Sequence, residues 1–281
     1  MAIEAFAPAK INLTLHVTGR RADGYHQLDS LVMLTDVGDR LTVERARETS
    51  LIVVGAMAAG VPADRSNLVI RAAELLGVSA KITLTKSLPA MAGIGGGSSD
   101  GAAAIRALCA LYDLPLPDRE TLSSLGADVP VCMEPELVRM RGIGEEIDRL
   151  DTPPDWSMLL VNPRVSVSTP RVFDEMGERD NPLMGCPFPN WQAFDGVIKW
   201  LADQRNDMQK AAVGLQPVIG LVLSELSQTN GCALARMSGS GATCFAIYKN
   251  ASERDEALEM MRRLHPDWWC VATRRVGARF R

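Results

Sequence analysis

The sequence has no large excess of charge and no long apolar run, and both absences exclude classes of protein. Its 281 residues carry 30 lysines and arginines against 34 aspartates and glutamates, a formal net charge of −4. This balance gives no overall attraction to nucleic acid or to anionic membranes. No apolar run reaches the roughly 18 residues that a membrane-spanning helix needs, and Glu4 and Lys10 interrupt any signal-peptide core. We therefore predict a cytoplasmic protein that binds neither nucleic acid nor membrane.

Cysteine pairs and histidine clusters are also missing. The six cysteines are scattered without a Cys-x-x-Cys pair, and the three histidines lie far apart. Neither a disulfide framework nor a zinc site is predicted. Most cysteines lie in apolar segments, as Cys244 does, so buried thiols are the simplest interpretation. We predict no dedicated protein metal site.

The two common nucleotide-binding glycine motifs are absent as well. The main glycine-rich stretch lacks the Gly-Lys-Ser/Thr of a Walker A loop, and Ser98 stands where the dinucleotide motif Gly-x-Gly-x-x-Gly needs its third glycine. The chain has instead a different glycine-rich stretch, composed of Pro89, Ala90, Met91, Ala92, Gly93, Ile94, Gly95, Gly96, Gly97, Ser98 and Ser99.

The surroundings of this stretch favour an anion site. An alternating run at 81–85 predicts a strand before it, and apolar residues at helical spacing follow it, so Ser98 or Ser99 is predicted to be the N-cap of a helix. A glycine loop at a helix N-terminus directs backbone N–H groups and the positive end of the helix dipole toward a phosphate. The alternative is a flexible surface loop closed by a capped helix.

Two charged residues are candidates for catalysis. Residues 11–16 alternate in polarity, so Lys10 and Asn12 are predicted to share the strand face opposite the core. Lys10 could stabilise a developing negative charge, or it could be an edge-strand lysine in solvent. Asp128 lies between small residues and a proline, where it could be a catalytic base or an aspartate that caps a turn.

Two further segments leave alternatives open. Tyr25 and His26 follow a polar loop, and such a pair usually lies on the protein surface without a functional role. Ser238, Gly239, Ser240 and Gly241 form either a hairpin turn or a second glycine loop that closes on the same phosphate.

The proline-rich segment 151–155 is the best domain boundary, which divides the chain into domains 1–152 and 153–281. Segments 131–133 and 137–140 are predicted strands, and the second domain is predicted to be α+β.

Together, these segments resemble the GHMP small-molecule kinases. Residues 8–13 are similar to the first motif of that family, residues 89–99 to its phosphate loop, and residues 237–242 to its third motif. Segments 20–26 and 125–130 are similar to the branch that acts on a cytidyl diphosphate derivative of methylerythritol. The resemblance covers both predicted domains. It implies an α+β two-domain GHMP kinase fold, with a ribosomal S5 domain 2-like N-terminal domain and a ferredoxin-like α+β C-terminal domain.

The resemblance also implies an activity, namely ATP-dependent phosphorylation of the 2-hydroxyl of 4-diphosphocytidyl-2-C-methyl-D-erythritol in the non-mevalonate route to isoprenoids. ATP and this cytidyl diphosphate substrate are then the small-molecule partners, with Mg²⁺ carried by ATP, and the protein is a monomer or a weak homodimer. Another GHMP kinase, for homoserine or mevalonate, is the first alternative. A nucleotide-binding protein that has the fold without catalysis is the second, and loss of Lys10 or Asp128 would have supported it.

The residue roles follow from the same resemblance. Asp128 matches the family's base and Lys10 its partner, while residues 89–99 match the loop around the ATP phosphates and the loop at 238–241 closes on them. The remaining matches are Asn67 and Lys86 near the adenine, Tyr25 and Phe173 on the two faces of the cytosine, His26 at the cytosine edge, and Asn12 and Thr169 near the reacting end.

One match carries no role, and two points depart from the family pattern. The pair Asn206-Asp207 matches a family pair in the second domain to which we assign no role. The loop begins Ala-Met-Ala-Gly at 90–93, where many members have more glycine, and the stretch between Tyr112 and Gly126 is a few residues shorter than usual. The second departure concerns how Asp128 is presented.

Overall fold

A computed structural model describes residues 2–151 and 156–277. These residues form two β-sheets and the helices that pack on them. The strands of the first sheet are β1 (Ala2–Asn12), β2 (His16–Arg20), β3 (His26–Arg45), β4 (Ser50–Val54), β5 (Ala80–Thr85), β6 (Val138–Gly142) and β7 (Glu146–Arg149). The sheet runs in the order β4-β5-β3-β6-β7, and β1 and β2 also pair with β3. Among its described strand pairs, only β4–β5 is parallel.

Helices α1 (Leu68–Leu75), α2 (Gly96–Tyr112) and α3 (Arg119–Leu125) accompany the first sheet. The central helix is α2, and its first half is a run of small residues that includes Gly101 and Ala102. Small side chains let neighbouring elements approach closely, and a Cβ on Gly101 would lie 3.1 Å from a Leu68 carbon of α1. Helix α2 is therefore buried between the sheet and α1, with its N-terminus at the glycine loop.

The strands of the second sheet are β8 (Ser157–Asn162), β9 (Cys232–Met237), β10 (Cys244–Tyr248) and β11 (Trp269–Thr273). The described strands of this sheet are all antiparallel and run in the order β11-β8-β10-β9. The helices of this half are α4 (Thr169–Glu175), α5 (Phe194–Ala202), α6 (Gln209–Leu215), α7 (Val218–Ser227) and α8 (Ala251–Leu264). Helices between β8 and β9, a direct β9–β10 connection and α8 before β11 give the β-α-β-β-α-β order of a ferredoxin-like sheet. The predicted α+β class is confirmed.

A shared core joins the two sheets. Ile11 of β1 belongs to the same buried cluster as Leu160 of β8 and Phe245 of β10. The segment after β11 returns to the first sheet, where the Val276 N–H donates to the Leu34 carbonyl at 2.8 Å. The predicted boundary between 152 and 153 lies outside the described residues, so the division into two domains stays a prediction.

Strand β3 is continuous from His26 to Arg45, and the register of β1 along it shifts between Pro8 and Lys10. One local prediction is wrong. Val131–Met133 forms a single-turn 3-10 helix, since Pro130 before it has a helical backbone. Helix α6 was not predicted. In the part of the chain that the structure describes, no helix is both long and apolar enough to cross a membrane.

Candidate active site

A cleft of about 500 Å³ lies where the glycine loop meets the second half of the chain. It collects residues from most of the predicted motifs, although these motifs are far apart in sequence. The predicted site residues that line it are Lys10, Asn12, Met91, Ala92, Gly93, Gly95, Gly96, Gly97, Ser98, Asp128, Thr169, Phe173, Gly239 and Ser240. The predicted site residues outside the lining are Tyr25, His26, Asn67, Lys86, Pro89, Ala90, Ile94, Ser99, Ser238 and Gly241.

The glycine loop turns into α2 through Gly95. Gly95 is the N-cap, with φ of 63°, and no side chain caps the helix. The prediction that Ser98 or Ser99 is the N-cap is wrong, because both serines lie inside the first turn. Gly93 also has a left-handed backbone, with φ of 72°. The first N–H groups of a helix have no partner within it, so a helix that begins on this bare loop presents them to an anion.

The second glycine loop, residues 238–241, locks against the first. The Ser238 hydroxyl donates to the Gly93 carbonyl at 3.0 Å, and the Thr243 N–H donates to the Ala92 carbonyl at 3.1 Å. A Cβ on Gly93 would lie 2.5 Å from the Ser238 carbonyl oxygen, and one on Gly239 would lie 2.6 Å from the Gly93 oxygen. The two backbones therefore touch with no room for side chains, and the second loop fixes the shape of the first.

Lys10 and Asp128 form an ion pair on the wall of the cleft. The Lys10 Nζ lies 2.7 Å from the Asp128 Oδ2, with the lysine side chain 6% exposed and the aspartate side chain 36% exposed. The backbone N–H of Lys10 donates to the Ile94 carbonyl at 2.8 Å, which fixes β1 against the glycine loop. Lys10 and Asn12 were predicted on the strand face opposite the core. Both side chains are instead buried and line the cleft.

Asn12 brings an unused acceptor to this wall. Its Nδ2 donates to the Ser30 hydroxyl at 2.7 Å, and its backbone N–H donates to the Ser238 hydroxyl at 3.1 Å. Its Oδ1 is buried and has no hydrogen-bond partner within residues 2–151 and 156–277. Because a buried polar atom without a partner costs free energy, this oxygen is suited to accept a hydrogen bond from a bound hydroxyl. The Ser99 hydroxyl is buried and unpartnered in the same described part of the chain.

His26 lies flat against Phe173. Their ring centroids are 3.9 Å apart and their planes differ by 2°. Burial, together with the nearby Arg179 and Arg20 guanidinium groups, lowers the pKa of His26 below its usual value. A neutral imidazole is therefore favoured near pH 7. Tyr25 is 59% exposed and is not part of the cleft wall.

Lys86 lies behind the glycine loop and not on the cleft surface. Its ammonium group bonds to the carboxylates of Asp39 and Asp100, the latter at 2.7 Å. Burial favours the neutral amine, but the two carboxylates outweigh it and raise the pKa of Lys86. Burial raises the pKa of Asp100 to about 8 despite the attraction of Lys86, and Asp39 adds to this rise. Asp39 also accepts the backbone N–H of Leu88 at 2.9 Å, which ties the cluster to the start of the loop.

Asn67 serves as the N-cap of α1. Its side-chain oxygen accepts the Val69 N–H at 2.9 Å, and its Nδ2 donates to the Pro62 carbonyl at 2.7 Å. An adenine contact of Asn67 or Lys86 therefore stays a prediction.

Among the described residues, no three His, Cys, Asp or Glu side chains form a group that could hold a metal ion. Mg²⁺ usually keeps several waters and is bound largely through substrate phosphates, so a Mg²⁺ ion carried by ATP would need few protein ligands here.

The comparisons with known proteins first define the class. The family model described as GHMP kinases N terminal domain matches residues 67–134, and the one described as GHMP kinases C terminal matches residues 190–267. The crystal structure of a homoserine kinase from Cytophaga hutchinsonii aligns with a TM-score of 0.68 at 16% identity, over 98% of this chain and 94% of that one, which shows the shared fold alone. The chain has the two domains and the fold of a GHMP kinase.

More similar proteins then define the family. A protein of Cereibacter sphaeroides is 50% identical over 98% of this chain and 99% of its own length. One of Ruegeria pomeroyi is 50% identical over 96% of this chain and 98% of its own. Both are named 4-diphosphocytidyl-2-C-methyl-D-erythritol kinase. A crystal structure of 4-(cytidine 5'-diphospho)-2C-methyl-D-erythritol kinase aligns with a TM-score of 0.79 at 31% identity, over 98% of this chain and 100% of that one. The chain belongs to this family of kinases.

Several residues that shape the site were missed at the sequence level. Asp39 and Asp100 hold Lys86 beneath the loop, but only the fold brings β3, β5 and α2 together there. Leu28, Leu68, Met140, Met208, Val167, Ser168 and Pro170 also line the cleft. These are mostly apolar residues in ordinary secondary structure, and no pattern in the sequence separates them from core residues.

Proposed function

We propose that the chain transfers the γ-phosphoryl group of ATP to the 2-hydroxyl of 4-diphosphocytidyl-2-C-methyl-D-erythritol. The observation that carries the proposal is the Lys10–Asp128 ion pair, which faces the same cleft as the glycine loop at the start of α2. A phosphate-binding loop and a carboxylate base in one cleft are the two parts that phosphoryl transfer to an alcohol needs. The relatives with half of their residues identical carry the corresponding name.

Each group has a task in this proposal. Asp128 accepts the proton of the attacking hydroxyl, and the ammonium group of Lys10 keeps Asp128 ionised and stabilises the developing alkoxide. The backbone N–H groups at the start of α2 hold the phosphate, and Mg²⁺ bound to ATP supplies charge neutralisation. The unpartnered Asn12 Oδ1 accepts a hydrogen bond from a substrate hydroxyl beside the ion pair.

The cytosine is proposed to lie between Tyr25 and Phe173, with His26 at its edge. Because the His26 ring covers one face of Phe173, binding of the base on that face requires the ring to move aside. The lowered pKa keeps the imidazole neutral, so that one ring nitrogen donates and the other accepts. A neutral ring can therefore form hydrogen bonds with a base edge without carrying a buried charge.

A parallel phosphorylation assay tests the proposal. The protein is offered ATP with 4-diphosphocytidyl-2-C-methyl-D-erythritol, homoserine or mevalonate, and product formation is followed for each. Turnover of the cytidyl substrate far above the other two is expected. Preferred turnover of homoserine or mevalonate would overturn the substrate assignment, and tight ATP binding without any turnover would favour the non-catalytic alternative.

Other parts of the proposal come from the sequence. We propose Mg²⁺ as the metal that accompanies ATP, a monomer or weak homodimer as the working state, and the cytoplasm as the location. We also propose that neither nucleic acid nor a membrane is a partner, and the net charge of −4 supports this.

A further inference from the structure

The dipeptide Asn206-Asp207 has no part in the reaction as proposed, yet it links the second glycine loop to the β2–β3 hairpin. It runs beside Leu15, which donates its N–H to the Arg205 carbonyl at 2.8 Å and accepts the Asp207 N–H at 2.9 Å. Both residues are hidden from solvent, with Asn206 9% exposed and the Asp207 side chain 8% exposed. Polar side chains buried this deeply normally have fixed partners, and those partners indicate their role.

The amide group of Asn206 holds the second glycine loop. Its Nδ2 donates to the carbonyls of Met237 at 2.8 Å and Gly239 at 2.9 Å, while its Oδ1 accepts the Met208 N–H at 3.0 Å. The two carbonyls flank Ser238, whose hydroxyl donates to the Gly93 carbonyl of the first loop. Asn206 therefore fixes the segment that locks the phosphate loop in its shape.

The carboxylate of Asp207 anchors the β2–β3 hairpin. Its Oδ2 accepts the Val17 N–H at 2.8 Å, and its Oδ1 accepts a hydrogen bond from the Arg205 guanidinium at 2.8 Å. Val17 belongs to β2, which pairs with β3 in the hairpin that ends at Arg20 and His26. Tyr25 and His26 sit at the tip of this hairpin, so its anchor sets where the proposed cytosine site lies.

We propose that Asn206 and Asp207 are two positioning residues on one short segment, Asn206 for the phosphate loop and Asp207 for the substrate hairpin. The inference rests on the proposed function, because it assigns the phosphate loop to ATP and the β2–β3 hairpin to the cytidyl group. Neither side chain lines the cleft, so each acts through the backbone that it holds.

Different kinetic effects of the two substitutions test this assignment. Asn206→Ala frees two buried carbonyls and loosens the loop, so kcat should fall on the order of 10²-fold and the KM for ATP should rise, with the KM for the cytidyl substrate nearly unchanged. Asn206→Asp keeps the shape but turns an oxygen toward two carbonyl oxygens, and the same pattern is expected. Asp207→Asn should raise the KM for the cytidyl substrate by about 10-fold, with the KM for ATP unchanged.

Asn250→Ala is the matched control. Asn250 caps α8 by accepting the Glu253 N–H at 3.0 Å, and it does not line the cleft. Its loss should lower the melting temperature and leave all kinetic constants near those of the wild type. If the Asn206 and Asp207 variants behave like Asn250→Ala, or if both raise the same KM, the positioning roles are refuted.

A binding measurement separates this inference from the proposed function. If the wild type fails to turn over the cytidyl substrate, the proposed function fails, and calorimetry of ATP binding still compares Asn206→Ala with the wild type. Weaker ATP binding by the folded Asn206→Ala variant would support the role of Asn206, and unchanged binding would refute it. For Asp207→Asn, calorimetric titration with CDP in place of the full substrate provides the corresponding measurement.

Discussion

Replacing Gly93 by alanine should separate the two glycine loops. The new Cβ would lie 2.5 Å from the Ser238 carbonyl oxygen, whereas an ordinary contact is 3.4 Å or more, so the backbones must part by about 0.9 Å. The left-handed φ of 72° adds about 1–2 kcal/mol for a residue with a side chain. Parting the loops weakens the Ser238–Gly93 and Thr243–Ala92 hydrogen bonds, at about 1 kcal/mol each. The expected loss is about 3–4 kcal/mol of unfolding free energy.

Gly97→Ala provides the matched control for this prediction. Gly97 lies in the first turn of α2 on the cleft wall, and a Cβ there would meet nothing within 4 Å. Alanine favours a helix over glycine by up to about 1 kcal/mol, so this variant should be as stable as the wild type or more so. Its ATP affinity should fall, because the methyl group takes space that the phosphate needs.

Urea unfolding and calorimetry of ATP binding measure both variants. Gly93→Ala should lose stability and ATP affinity together, whereas Gly97→Ala should lose affinity alone. A Gly93→Ala protein within about 1 kcal/mol of the wild type would show that the loops are not interlocked, and would refute the argument.

Three further predictions concern single side chains. Asp128→Asn should lower kcat on the order of 10²-fold or more while ATP still binds, and near-normal turnover in steady-state assays would contradict its role as base. Phe173→Ala should remove about 1–3 kcal/mol of stacking and raise the KM for the cytidyl substrate but not for ATP; a selective loss of ATP affinity would count against the cytosine site. Because the folded-state pKa of Asp100 is raised to about 8, the stability linked to this group is complete below about pH 4 and is lost as the pH rises through 8. Urea unfolding at pH 6 and pH 9 should show a smaller loss for Asp100→Asn than for the wild type, and equal losses would refute the assignment.

The sequence predicted which residues line the cleft better than it predicted the contacts that position them. Lys10 and Asp128 were paired through motifs 118 residues apart, and the structure brings them to 2.7 Å. The Lys86 cluster could not be predicted, because its partners Asp39 and Asp100 become neighbours only through the register of β3 beside β5. Resemblance assigned Lys86 a role near the adenine, and only the fold shows its ammonium group buried under the loop.

Residue propensities gave wrong predictions where tertiary contacts determine the backbone conformation. Serine is a better N-cap than glycine by propensity, but the start of α2 crowds Lys10, and a Cβ on Gly95 would lie 3.1 Å from the carbons of that lysine. A residue without a side chain fits there, so the helix begins earlier than predicted. His26 and Phe173 were both expected at the cytosine site, yet nothing in the sequence could show that their rings stack on each other.

The interlocked loops also affect how the chain can fold during synthesis. Ser238 follows Gly93 by 145 residues, and a ribosome that adds about 5–20 residues per second needs roughly 7–29 s to make that stretch. Until then the carbonyls of Ala92 and Gly93 lack the partners that residues 238–243 supply, so the phosphate loop of the emerging first half is not held in its final shape. Stabilisation by nucleotide is therefore expected only for the nearly complete chain.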